Sequence, residues 1–232
     1  MKITAVTGAL MDSVAETTSL LANRKILVAV GNRLTLTAAV MAPSISQSLI
    51  GGATTEEEAL EIQRDHNPDI LIVSEDLERG YGVRLIERAK EYNPNITVLI
   101  FIKRETHEVV QEAMEAGADG VMFVSSIGTG DGDFINALRT TAKGGIYFPQ
   151  PVINTYCALN KPLPANVEPL SERETEVIQC LVRGMKNTEI AEALTISPET
   201  VKSHVSSTIS KLHVRDRMQA VAFALTHGLI TA

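Results

Sequence analysis

Five short apolar runs, separated by segments of helical period, constrain the front half of this chain more than any other feature. The runs are Ile26 to Val30, Ser48 to Ile50, Ile70 to Val73, Val98 to Ile102 and Val121 to Val124, the second being the weakest. Between them, TTEEEALEIQRD, VRLIERAKEY and THEVVQEAMEAG carry apolar residues at the three- and four-residue spacing of amphipathic helices. A strand that is apolar on consecutive residues has no face for water, so both of its faces must be covered. Helices between successive strands favour parallel pairing, because a parallel neighbour is reached only by a crossover. The pattern predicts an α/β unit, a (βα)5 doubly wound parallel sheet.

The chain changes character further on. KPLPANVEP, Lys161 to Pro169, holds three prolines in nine residues and reads as a linker, preceded by a connecting helix over 149–159. From Leu170 onward the strand pattern is gone and helix signals follow one another. Ser171 with Glu174 forms a capping box ahead of Val177, Ile178 and Leu181, and Gly184 ends that helix. Asn187 caps a second helix carrying Ile190 and Leu194. Ser197, Pro198 and Glu199 open a third, and Asp216 caps a fourth that runs from Arg217 to Thr226 with Gly228 beyond it. The expected organisation is an N-terminal extension (1–24), an α/β domain (25–148), a connecting helix and linker (149–169) and an all-α four-helix domain (170–232). In the extension, Leu10, Met11, Val14, Thr18 and Leu21 fit either a short amphipathic helix or a frayed tail.

The third of these helices points to a partner. Val201, Val205, Thr208, Ile209 and Leu212 share one side, which leaves Ser203, Ser206, Ser207 and Ser210 on the other, flanked by Lys202, His204 and Lys211. Short hydroxyls bond phosphate oxygens or base edges, and lysines neutralise phosphate. A helix of about fourteen residues, roughly 21 Å long, fits a major groove. A solvated surface helix has the same pattern. Residues 170–232 hold seven Lys and Arg against seven Asp and Glu, so non-specific affinity for nucleic acid should be modest and salt-sensitive.

Leu170, Ser171, Arg173, Glu174, Glu176 and Val177, then Gly184, Asn187, Glu189, Ile190 and Ala191, then Ile196, Ser197, Thr200, Val201, Lys202, His204 and Val205 match in register a known pattern. It is that of the helix-turn-helix domain of LuxR/FixJ (NarL)-type response regulators, which this segment resembles. The resemblance implies a transcription regulator that binds double-stranded DNA, with Lys202, Ser203 and Ser206 on the recognition helix and the fourth helix as the dimer contact of a homodimer. The front half, with Pro68-Asp69, Gly82, EAMEAGAD (112–119) and GGIYFPQP (144–151), similarly looks like a flavodoxin-like receiver domain.

Receiver chemistry, as that resemblance implies it, needs an acceptor aspartate after the third strand, an acid pair after the first, a hydroxyl after the fourth and a lysine after the fifth. Mg²⁺ joins them, because it takes oxygen ligands and bridges phosphoryl oxygens. Here the acceptor position falls on Ser74, the acid pair on Val30 and Gly31, the hydroxyl on Ile102 and the lysine on Val124. The pocket reads as degenerate, a pseudo-receiver without aspartyl phosphorylation. A two-residue slip of the third strand would instead bring Asp76 to the acceptor position. Ser74 itself is either a serine phosphosite or a filler. The α/β domain then serves for dimerisation or signal docking, or its altered pocket takes a protein or small-molecule partner that gates the regulator.

Other functional classes find little support. The net charge of −7 lies entirely in the part ahead of residue 170, which excludes that part as a nucleic-acid binder by charge. Cys157 and Cys180 have no disulfide or metal spacing, and His66, His107, His204, His213 and His227 show no ligand spacing. Gly128-Thr129-Gly130-Asp131-Gly132 follows the fifth run rather than the first and carries an acid, so it reads as a loop and not a phosphate cradle. No nucleophile and base pair stands out, so no enzyme is expected, nor any cofactor or metal. Without a membrane-length apolar run or a cleavage site, the expected location is the cytoplasm.

Overall fold

The apolar runs become strands β1 (Ile26–Ala29), β2 (Leu49–Ala53), β3 (Ile70–Ser74), β4 (Thr97–Ile102) and β5 (Gly120–Phe123) of one sheet. All neighbours pair in parallel in the order β2-β1-β3-β4-β5, the doubly wound flavodoxin-like arrangement expected from the alternation. The computed structural model describes residues 7–127, 133–142, 144–153 and 161–230, and side chains from residue 14 onward except that of residue 133. They form two units, Met1–Arg139 and Thr140–Ala232. The connecting helix is seen as a helical turn at 150–153; its remainder, Cys157 and the glycine loop at 128–132 lie outside the described residues.

Helices α1 (Thr7–Leu21), α2 (Arg33–Met41), α3 (Pro43–Ser46), α4 (Glu56–His66), α5 (Gly82–Tyr92), α6 (His107–Glu115) and α7 (Asp133–Ala142) complete the front of the chain. The central strands are apolar throughout because they are buried throughout: every residue of β1 is covered, as are Leu71, Val73, Val98, Leu99 and Ile100. The weak second run is the edge strand, shifted to Leu49–Ala53. A Cβ at Gly51 would stand 2.7 Å from the Ile62 side chain, and one at Gly52 2.7 Å from that of Leu36. Helices press so closely on both faces that glycine replaces the apolar residues a strand pattern needs.

Local chemistry sets the helix ends. Thr55 and Glu58 form a capping box on α4, whose last turn closes on left-handed Asn67. The Glu56 carboxylate is buried under Arg84 and Arg88, each 2.7 Å away, which joins α4 to α5. The extension is an ordered helix at its C-terminal end, not a frayed tail: Leu21 is buried, and the Ser48 hydroxyl donates to the Leu21 carbonyl at 2.8 Å.

The second unit contains α8 (Glu172–Val182), α9 (Asn187–Leu194), α10 (Pro198–Lys211) and α11 (Arg217–Thr226). Val177, Leu181, Ile190, Val201, Val205, Leu212, Val221 and Leu225 meet in its core. Ser171, Ser197 and Asp216 cap α8, α10 and α11 as their sequence predicts. The second helix differs, because Lys186 holds the cap position and Asn187 is the first helical residue. The Lys186 N–H donates instead to the Glu189 carboxylate at 3.1 Å, which satisfies the end of the helix without an asparagine cap.

Candidate nucleic-acid interface and candidate receiver pocket

Helix α10 is fixed by Val201, Val205, Thr208 and Leu212, all buried. On its open side Lys202, Ser203, Ser206 and Ser210 are exposed, and His204 is half-buried beside them. The Ser203 hydroxyl donates to the Glu199 carbonyl one turn back, at 3.0 Å. Ser207 and Lys211, expected on the same face, turn toward α8. The Ser207 hydroxyl and the Lys211 ammonium each reach the Glu174 carboxylate at 2.7 Å.

Glu174 thus has two jobs, one of which sequence reasoning missed. It closes the capping box on the Ser171 N–H at 2.7 Å, and it anchors α10 across 33 and 37 residues of chain. Burial pushes its pKa up, but the Lys211 ammonium and the N–H and hydroxyl donors outweigh that and bring it down to about 2. A cap residue that also forms a tertiary ion pair is written in sequence no differently from a cap residue alone.

In the first unit, the carboxyl ends of the strands gather the positions assigned to receiver chemistry. Val30, Gly31, Ser74 and Val124 line one cavity of about 520 Å³; Ile102 does not, being wholly buried at the end of β4. Ser74 ends β3, paired with Phe101, so the strand keeps its register and no slip brings in Asp76. Asp76 is 58 % exposed and lies 3.5 Å from the Lys103 ammonium. The Ser74 hydroxyl accepts from the Gly31 N–H at 3.0 Å and donates to the Asp76 carbonyl at 2.6 Å. Its proton is therefore engaged, and the two bonds together tie the end of β1 to the loop after β3. A Cβ at Gly31 would stand 2.4 Å from that same Asp76 carbonyl oxygen, so the loop occupies the space an acidic side chain needs. The residues at these positions do not fit a Mg²⁺ ion: they offer valine, glycine and a hydroxyl already spent. No group of three or more His, Cys, Asp or Glu able to hold a metal occurs among the described residues.

Glu75, the next residue, was not singled out by sequence reasoning. Its wholly buried carboxylate accepts the Lys103 and Arg104 N–H groups at 2.8 Å each and pairs with the Arg104 guanidinium. Arg104 also donates to the Tyr81 hydroxyl at 3.2 Å, and that hydroxyl donates to Glu112 at 2.8 Å. Burial, then the Glu112 carboxylate, push the Tyr81 phenol up to about 12. This network clamps the loop after β4 to the end of β3.

A doubly wound receiver-type sheet followed by a four-helix unit defines a protein of the response-regulator class. The model of the response regulator receiver domain matches residues 34–123, and that of the bacterial regulatory proteins of the luxR family matches 168–224. The response regulator protein VraR of Staphylococcus aureus is 32% identical over 182 residues, covering 78% of this chain and 86% of that protein. VraR of Staphylococcus saprophyticus is 31% identical over the same shares. Among solved structures, RcsB of Salmonella typhimurium is similar with a TM-score of 0.50 and 18% identity, covering 87% of this chain and 97% of RcsB. RcsB in complex with DNA gives a TM-score of 0.51 at 18% identity, over 88% and 98%. The chain belongs to the LuxR-family response regulators.

Proposed function

We propose that this chain is a DNA-binding transcription regulator that works as a homodimer on double-stranded DNA and without aspartyl phosphorylation. The observation that carries the second part is the Ser74 hydroxyl, bonded on both sides where an acceptor carboxylate is required. Lys202, Ser203, Ser206 and Ser210 form the DNA surface, with His204 at its edge. Ser207 and Lys211 contribute by holding α10 in place through Glu174. RcsB supports the reading, since it has been solved both as dimers on DNA and as a DNA complex. The receiver-like unit then serves for dimerisation or signal docking, its resting arrangement set by sequence rather than by a phosphoryl group.

The test is binding of unmodified full-length protein to fragmented genomic DNA, beside a fragment from Pro164 to Ala232, at two salt concentrations. Selection of a palindrome-like site by the full-length protein is the expected result. Mg²⁺-dependent stoichiometric labelling by acetyl phosphate would refute independence from phosphorylation.

A further inference from the structure

The cavity at the carboxyl end of the sheet is walled mainly by apolar side chains, with its polar residues turned toward one another. Its volume, about 520 Å³, lies in the range of pockets that enclose a drug-sized ligand, roughly 300–1,000 Å³. Val28, Ile72 and Phe101 of the sheet line it together with Ala39 of α2, Ile45 of α3 and Phe134 of α7.

The helix beside it points the same way. Helix α2, RLTLTAAVM, is mostly apolar, yet none of its nine residues is buried, whereas α4, α5 and α6 bury four, five and four. Leu34 is 81 % exposed and Met41 74 %. Leu34 and Met41 lie outside the cavity; from α2 it is Thr35 and Ala39 that line it, and a helix with no buried residue is loosely held over the sheet at this wall.

The polar groups around the cavity restrict the ligand's charge. Lys103 faces Asp76, and Glu75 is held by Arg104 and two N–H groups, so each charge on the rim is already balanced. A charged ligand would enter apolar surroundings without a counter-ion to itself. Asn32 uses its carbonyl oxygen on the Thr35 N–H, which leaves its amide hydrogens as donors. The Phe101 and Phe134 rings, 5.8 Å apart and tilted by 31°, offer aromatic edges and faces.

We propose that this cavity binds a neutral aromatic small molecule carrying one hydrogen-bond acceptor, and that its occupancy orders α2 against the sheet. The proposal rests on the reading that no phosphoryl chemistry uses the pocket. The neutral aromatic ketone Prodan, whose fluorescence reports an apolar environment, is the probe, used with the full-length chain. Expected are saturable binding of one molecule per chain and slower amide exchange in α2 on binding. Ala39→Trp, which fills the cavity from a helix that buries nothing, should weaken binding at least about tenfold. Thr37→Trp places the same ring on the same helix, on the side of a separate groove with Gly52 and Ile62, and should leave binding unchanged. Non-saturable binding, equal loss in both variants, or none in Ala39→Trp would overturn the site. Equally tight binding of anionic anilinonaphthalene sulfonate would overturn the ligand class. Acetyl phosphate labelling of the same preparation separates the two ideas: labelling sinks the unphosphorylated reading, whereas absent Prodan binding sinks the cavity proposal alone.

Discussion

Replacing Glu174 with Gln keeps the shape of the capping residue and removes its charge. The carboxylate is almost wholly buried, takes Lys211 and Ser207 at 2.7 Å each, and has its pKa lowered from 4.5 to about 2. At about 1.4 kcal/mol per unit, that displacement corresponds to roughly 3 kcal/mol of stability at neutral pH. The sign follows from the direction. With a folded pKa below the unfolded one, the contribution is present in full above pH 4.5 and is lost as pH falls toward 2. Glu174→Gln should therefore destabilise the second unit by about 2–3 kcal/mol at pH 7, and the acid loss of stability in this unit should shrink with it. Amide exchange measured by mass spectrometry on the full-length chain resolves the effect locally, with no need to isolate the unit. Exchange from α8 and α10 should accelerate on the order of a hundredfold, while the sheet keeps its protection. If α10 accelerates by less than about threefold, Glu174 is not the anchor described above.

Gly31→Asp restores one acid of the missing pair into space held by the Asp76 carbonyl. It should lower the melting temperature and confer no Mg²⁺-dependent labelling by acetyl phosphate; labelling would show that the loop yields. Lys202→Ala should weaken DNA binding across sequences and lower the slope of log affinity against log salt by about 1, as loss of one phosphate contact requires, so an unchanged slope removes Lys202 from the interface. In a tyrosinate absorbance titration, one of the four tyrosines should titrate near 12, and Tyr81→Phe should abolish that step. Because the folded phenol pKa is raised from 10 to about 12, its contribution is whole below pH 10 and is lost as pH rises toward 12, which melts against pH will check. Glu56→Ala leaves Arg84 and Arg88 in solvent rather than buried, so its cost should stay near 1–3 kcal/mol, measured by denaturant unfolding.

Much of this architecture is written locally. Ser171 with Glu174, Ser197 with Pro198, and Asp216 mark helix starts because a cap bonds backbone within three residues of itself. The Ser48 run was read weakly because Gly51 and Gly52 serve close helix packing, an interaction absent from any strand pattern. Asn187 misled for a related reason: it has the composition of a cap, but the chain began its helix one residue earlier with a bond to Glu189. The hydroxyl face of α10 was legible from its period. That Ser207 and Lys211 leave that face for Glu174 was not.

The sequence by itself determined the alternation of five strands with helices, the four helices after the linker with the caps of three of them, and the residue types at the end of each strand. Those are matters of period and of hydrogen bonds closed within a turn. Only the tertiary structure decided what those residues do. The Ser74 hydroxyl meets Gly31 across 43 positions, Glu75 meets the loop after β4 across 28, and Glu174 meets Lys211 across 37. Such pairs depend on how strands and helices are stacked, which no local pattern encodes. The cavity belongs with them, because it is the space left where α2 buries none of its residues.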